Sequence, residues 1–136
     1  MTTMDITSLL GGPKVLGREI DSDLELDDAV AEGLPSRSLS HLMTVVQLSA
    51  IVPQRTLMDA KTRERLTPEL SDKLARVARL FSLATETLGT EEKARTWLAR
   101  PNRALGGKAP LELARRSSGS LLVEQVLGRL AHGVYS

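Results

Sequence analysis

Apolar residues recur three or four positions apart through most of the chain, which is the spacing of one face of an α-helix. The clearest stretch is residues 67–89, where Thr67, Pro68 and Glu69 form a typical N-cap and first turn and Gly89 is a typical C-terminal stop. This stretch predicts a helix of about 21 residues. Its apolar face consists of Leu70, Leu74, Val77, Ala78, Phe81, Ala84 and Leu88.

Cap residues, prolines and glycine stops predict shorter helices on both sides of this segment. Upstream, they run from Asp21 or Ser22 to Gly33, from Ser36 or Ser38 through Val46, and from Pro53 through Asp59. Downstream, they run from Thr90 to Pro101, over residues 111–115, and from Ser117 or Ser118 to Gly133. The inward-facing residues expected in two of them are Leu39, Leu42, Met43 and Val46, and Leu122, Val126, Leu127 and Leu130. The sequence therefore predicts an all-α fold.

Glycine and proline mark two segments that lack a helical period. Residues 1–20 contain three glycines and a proline, and we expect a flexible N-terminal arm with at most one short helical turn. Residues 102–108 are predicted to form a tight loop in which Gly106 and Gly107 turn the backbone at positive φ.

The length of 136 residues fits one ordinary domain or two very small ones. Cysteine is absent, which excludes a disulfide framework and a thiolate zinc site and makes the cytoplasm the simplest location. The first apolar stretch is short and lacks a basic leader, so we expect neither a signal peptide nor a membrane span.

The net charge of +1 hides an asymmetry along the chain. Residues 1–52 carry 3 basic and 8 acidic groups, whereas residues 53–136 carry 15 basic and 9 acidic groups. Unless this split is chance scatter over two solvated faces, the second half is expected to meet an anionic partner, either nucleic acid or an acidic protein surface.

The sequence lacks the residue spacings of the common catalytic and metal-binding motifs. His41 and His132 lack the spacing of metal ligands, and the run from Gly106 to Lys108 lacks the upstream glycine and the following hydroxyl residue of a phosphate-binding loop. No serine or threonine has a histidine at a suggestive offset. We therefore expect no enzymatic activity, no metal and no cofactor.

Residues 36–65 suggest a helix-turn-helix, because two short helices separated by a break lead into a basic run. A three-helix packing unit with a solvated basic end has the same pattern, so spacing alone leaves both interpretations open. On the first, a homodimer reading paired half-sites is expected. The DNA contacts would be Gln54, Arg55 and Thr56 toward bases and Lys61, Arg63 and Arg65 toward phosphates.

The C-terminal part carries a more specific pattern. Residues 97–113 read W-L-x-x-P-N-x-A-L-G-G-x-x-P-L-D/E-L, and residues 123–136 are close to V-E-x-L-L-G-R-I-x-x-G-V-Y. Together with residues 74–79, this pattern resembles the Xre/MbcA/ParS antitoxin family, the partners of RES-domain toxins. Residues 33–35 and 55–57 also resemble the Xre-type helix-turn-helix of that family.

After the flexible arm expected over residues 1–20, the resemblance implies a helix-turn-helix-like domain over 21–66 and a helical toxin-binding bundle over 67–136. It implies an antitoxin of a type II toxin-antitoxin system that forms a hetero-oligomer with a RES-domain toxin and blocks its NAD-binding active site. Autorepression through operator DNA is also implied. The alternatives are a stand-alone helix-turn-helix transcriptional repressor without a toxin partner, and a helical adaptor with neither activity.

In the antitoxin interpretation, the last helix docks beside the NAD cleft of the toxin and the final three residues close its mouth. A frayed terminus is the alternative for those three residues. Trp97 and Leu105 are assigned to the core. The expected toxin contacts are Arg100, Asn102, Arg103, Gly106, Gly107, Arg129, Val134, Tyr135 and Ser136.

Overall fold

A computed structural model describes residues 3–133 of the chain, and within that range the regular secondary structure is helical. This confirms the all-α prediction. The helices are α1 (Thr3–Leu9), α2 (Gly12–Leu16), α3 (Asp23–Glu32), α4 (Ser36–Met43), α5 (Gln54–Lys61), α6 (Pro68–Leu88), α7 (Glu91–Ala99), α8 (Pro110–Leu113) and α9 (Ser117–Ala131), with a short 3₁₀ helix at Arg103–Leu105. None of these helices is both long enough and apolar enough to cross a bilayer.

Helix α6 begins and ends where its sequence predicts. The Thr67 side chain accepts a hydrogen bond from the Leu70 amide at 3.2 Å, Pro68 opens the helix, and Gly89 ends it. The cap satisfies an amide that has no partner inside the helix, and proline loses nothing at a position where its missing N–H is not needed.

Helix α6 lies at the centre of the bundle and packs against α1, α3, α4, α7 and α9. Because it has neighbours on several sides, more than one of its faces is buried. Within the described residues, the hydrophobic core is a connected cluster that runs from Ile6 to Leu127. This cluster extends across residue 66, and the division of the chain into two domains at that residue stays a prediction. The buried residues of α6 are Leu70, Ser71, Leu74, Val77, Ala78, Leu80, Phe81 and Ala84.

The N-terminal segment corrects the expectation of a flexible arm over residues 1–20. Residues 3–16 form α1 and α2, and Ile6, Leu10, Leu16 and Ile20 are each at most 5% exposed. Helix α1 packs on α6. The prediction failed because each short element contributes only one or two apolar side chains, too few for a local period, while contacts with a distant helix provide the stabilisation.

Helices α4 and α5 are joined by residues 44–53, a longer connection than the three or four residues of a typical helix-turn-helix. Pro53 takes the N-cap position, so α5 begins at Gln54, one residue after the start at Pro53 that the sequence suggests. Met43 is 37% exposed, which corrects its inward assignment, whereas Leu39, Leu42 and Val46 are buried as predicted.

Two backbone segments distant in sequence pair beside α4 and hold the N-terminal helices on α6. The Leu66 amide donates to the Leu34 carbonyl at 2.8 Å, and the Ser36 amide donates to the Glu64 carbonyl at 3.2 Å. The Leu34 amide in turn donates to the hydroxyl of Ser71, a fully buried residue of α6, at 2.8 Å. A buried serine thereby supplies the acceptor that this extended backbone lacks.

We predict that Ser71→Ala lowers the free energy of unfolding by about 1–3 kcal/mol, because the buried Leu34 amide loses its acceptor. Urea denaturation measures this change. Ser82→Ala is the matched control on the same helix, since Ser82 is only half-buried, and it should shift stability by less than about 0.5 kcal/mol. Equal stability of the two variants would contradict the assignment.

Candidate functional site

The loop over residues 102–108, between α7 and α8, is closed by its own hydrogen bonds. The Asn102 amide donates to the Lys108 carbonyl at 3.0 Å, and the Gly107 amide donates to the Asn102 carbonyl at 2.9 Å. The Asn102 side-chain oxygen accepts from the Ala104 amide at 2.9 Å and caps the 3₁₀ helix. Gly106 and Gly107 have φ of 69° and 81°, which confirms the predicted tight turn.

A groove of about 390 Å³ lies between this loop and α9, and we call it the α9 groove. Lys108 and Arg129 contribute cationic side chains to its walls. Its full lining is Ala104, Leu105, Gly106, Lys108, Leu113, Leu122, Gln125, Val126 and Arg129. The α9 groove therefore combines an apolar surface with positive charge.

A second groove, of about 610 Å³, lies between the end of α6, α7 and the start of the loop, and we call it the Trp97 groove. The sequence assigned Trp97 to the core. Its side chain does pack against the core, but it is only half-buried and also forms part of the wall of this groove. The full lining is Leu88, Thr90, Glu92, Lys93, Thr96, Trp97, Arg100, Pro101 and Asn102. Leu105 is buried, as expected.

The predicted toxin-contact residues fall around the loop and both grooves. Arg100 and Asn102 line the Trp97 groove, and Gly106 and Arg129 line the α9 groove. Arg103 and Gly107 are exposed on the loop. The predicted contacts Val134, Tyr135 and Ser136 lie outside the described residues.

Sequence reasoning missed part of the exposed surface of α9. Leu122, assigned to the core, is 50% exposed and lines the α9 groove, and Leu121 is 56% exposed. The available signal was the spacing of Val123, Val126 and Leu127, which are buried. They define one stripe of the helix, and the two leucines fall outside that stripe.

One polar link joins α6 to α9, another joins α6 to the end of α8, and α9 also approaches α8 closely. The Arg79 side chain bonds Glu124 at 3.3 Å, and the Arg76 guanidinium donates to the Ala114 carbonyl at 2.7 Å. Gly119 sits where a Cβ atom would collide with the backbone carbonyl oxygen of Leu113. Because Leu113 lines the α9 groove, this approach helps set the shape of the groove.

The candidate DNA-contact residues surround α5. Gln54, Arg55 and Thr56 are exposed on its first turn, and Lys61 is exposed at its end. Arg63 pairs with Asp59 at 2.9 Å. The side chain of Arg65 donates to the Gly33 carbonyl at 2.8 Å, so it has a part in the fold that sequence spacing did not reveal.

Comparison with known proteins connects this site to a family. The family model of the antitoxin Xre/MbcA/ParS C-terminal toxin-binding domain matches residues 83–133, which span both grooves and α9. Antitoxin Xre of Pseudomonas putida is 31% identical over 121 residues, covering 85% of this chain and 76% of that protein. The chain therefore belongs to the Xre/MbcA/ParS antitoxin family, as the sequence pattern suggested.

Two further relatives support the same relationship. Antitoxin Xre of Yersinia enterocolitica is 38% identical over 87 residues, which cover 62% of this chain and 59% of that protein. Antitoxin Xre of Photorhabdus laumondii is 25% identical over 132 residues, covering 90% of this chain and 89% of that protein. The similarity to the Pseudomonas and Photorhabdus proteins extends over most of the chain.

We predict opposite effects on stability from two glycine substitutions in α9. Gly119→Ala should lower the free energy of unfolding by about 1–3 kcal/mol, because the new methyl group displaces the Leu113 backbone. Gly128→Ala is the matched control, since a Cβ there meets no heavy atom within 4 Å, and it should raise stability by up to about 1 kcal/mol through helix propensity. Urea denaturation of both variants tests this, and destabilisation of equal size would contradict the close approach.

Proposed function

We propose that the protein is the antitoxin of a type II toxin-antitoxin system and that it inhibits a RES-domain toxin by covering its NAD-binding active site. The observation that carries the proposal is the match of the toxin-binding family model to residues 83–133. That segment contains the loop, both grooves and α9. The antitoxin acts in the cytoplasm by occupying a surface of the toxin, and no catalytic step of its own is required.

Charge supports the choice of this surface. From residue 93 to the end, the chain has eight basic and two acidic residues. Arg100, Arg103, Lys108 and Arg129 lie on the loop or line the two grooves. An anionic rim around the toxin's NAD cleft would be attracted to this surface, and the encounter rate would fall as salt is raised.

The C-terminal tail is proposed to complete the block. Val134, Tyr135 and Ser136 are five to seven residues beyond Arg129 in the sequence, so a toxin docked on the α9 groove is expected to lie within their reach. Tyrosine is a frequent interface anchor because its large ring buries much surface while its hydroxyl forms a hydrogen bond. The proposed mechanism is steric, with the tail occupying the mouth of the cleft.

Deletion of Val134, Tyr135 and Ser136 is predicted to weaken binding to the proposed RES-domain toxin partner by about tenfold or more, since an anchor residue is removed. Isothermal titration measures the dissociation constant, and growth rescue on co-expression provides the cellular readout. Arg55→Ala, remote from the proposed contact, is the matched control and should bind as the wild type does. Full rescue by the truncated chain at matched expression would refute the tail's part, while binding by α9 and the loop would remain to be tested separately.

We also propose that α5 binds operator DNA as part of a homodimer and represses the antitoxin's own operon. The supporting observation is the exposure of Gln54, Arg55 and Thr56 together on the first turn of α5. Side chains at the start of a recognition helix are the ones that reach base edges in the major groove. A repressor without a toxin partner would share this property, and only the toxin-binding measurement separates the two.

Arg55→Ala is predicted to weaken operator binding by about 1–3 kcal/mol, the usual cost of losing an arginine that contacts a base. An electrophoretic mobility shift at fixed salt measures it. Arg100→Ala is the reciprocal control, because Arg100 lies in the Trp97 groove and not on α5. Arg65→Ala is unsuitable as a test, since its hydrogen bond to Gly33 couples it to folding. Unchanged operator affinity in Arg55→Ala would exclude α5 as the recognition helix.

A further inference from the structure

The Trp97 groove is lined by an aromatic and two cationic side chains of α7 and its C-terminal cap. Lys93 and Trp97 are four residues apart and therefore lie on one face of α7, and Arg100, the extended C-cap residue that follows the helix, lines the same groove. Ala94 and Leu98, the buried residues of α7, face the core instead. Helix α7 therefore buries one face and presents a basic, aromatic face to the groove.

The groove combines apolar surface with a positive rim. Trp97, Leu88 and Pro101 supply the apolar surface, and its volume of about 610 Å³ falls within the range of clefts that hold ligands, about 300–1,000 Å³. Lys93 and Arg100 at the rim outnumber the one carboxylate, that of Glu92. Arg95, on the same helix, does not line the groove and lies 3.9 Å from Glu91. These properties suit an apolar anchor side chain beside an acidic residue.

The Trp97 groove is continuous with the proposed toxin-binding surface. Asn102 lines it, and the hydrogen bond from the Asn102 amide to Lys108 closes the loop whose other side lines the α9 groove. All the residues that line the groove lie within residues 83–133, the segment that matches the toxin-binding family model. A partner docked on the α9 groove and the loop would thus reach the Trp97 groove without crossing a different surface.

We propose that the Trp97 groove receives a segment of the toxin that carries an apolar anchor side chain next to a carboxylate. This contact rests on the proposed antitoxin function and is separate from the terminal tail. The anchor packs against the indole of Trp97, and the carboxylate pairs with Lys93 or Arg100. The antitoxin then holds the toxin at two places on either side of the loop over residues 102–108.

Charge reversal and steric filling of the groove test this contact with the 136-residue chain and its proposed RES-domain toxin partner, purified separately. The double variant Lys93→Glu/Arg100→Glu and the single variant Thr96→Phe, which fills the groove, should each raise the dissociation constant roughly tenfold or more. Arg95→Glu carries the same kind of charge change outside the groove and should alter it less than about twofold. Circular dichroism melting confirms that each variant is folded.

Trp97 itself gives a readout that needs no substitution, because it is the only tryptophan of the chain. With 5-fluorotryptophan incorporated into this chain alone, its fluorine resonance should shift on toxin binding. Quenching of the Trp97 fluorescence by acrylamide should fall in the complex. Broadening of the fluorine resonance by a soluble paramagnetic probe should fall as well. The shift should persist when residues 134–136 are deleted and the complex is saturated, since the two contacts are separate.

The outcomes separate this inference from the function on which it rests. No binding of the wild-type chain to the toxin would contradict the antitoxin function and this contact with it. Wild-type binding with unchanged affinity in both groove variants and an unchanged Trp97 resonance would overturn this contact alone. If the groove variants abolish self-association of the isolated chain, seen by sedimentation, and leave toxin affinity unchanged, a second copy is the occupant and the proposal is wrong.

Discussion

Burial of several faces of α6 is the constraint on which the rest of the structure depends. A helix of 21 residues that is apolar on more than one side is stable only when other elements cover it, and in this chain helices from both ends of the sequence do so. Helix α1 covers one side, and α7 and α9 cover others. The proposed toxin-binding surface is therefore built on the same core as the N-terminal helices. A substitution that weakens the packing of one of these parts is expected to lower the stability of the other.

The exposed residues of the candidate site are held by this packed base. Arg76 and Arg79 extend from α6 to the residues around α8 and α9, while the loop over residues 102–108 is closed by bonds to Asn102. Such a surface is organised before a partner arrives, which reduces the ordering cost of association. The backbone that carries the cations of the two grooves is thereby held in place, which favours charge complementarity with one partner over another.

The sequence predicted those parts of the fold that local chemistry determines. The bounds of α6 followed from Thr67, Pro68 and Gly89, and the loop followed from its paired glycines. It did not predict the burial of Ile6 and Leu10, because the N-terminal helix α1 packs on helices distant in sequence, among them α6, which begins at Pro68. The bond from Arg65 to Gly33 and the exposure of Leu122 were also missed, since both depend on which elements meet in three dimensions. For the candidate site, the motif falls in the segment that the toxin-binding family model matches, whereas the division into two grooves required the structure.

The most direct test of the central claim is NAD binding by the RES-domain toxin, in a catalytically inactive form, measured by isothermal titration before and after it is saturated with this protein. Steric occupation of the active site predicts that the toxin in the complex no longer binds NAD, and that NAD in excess releases the antitoxin in a competitive manner. Retention of full NAD affinity by the saturated complex would contradict the account.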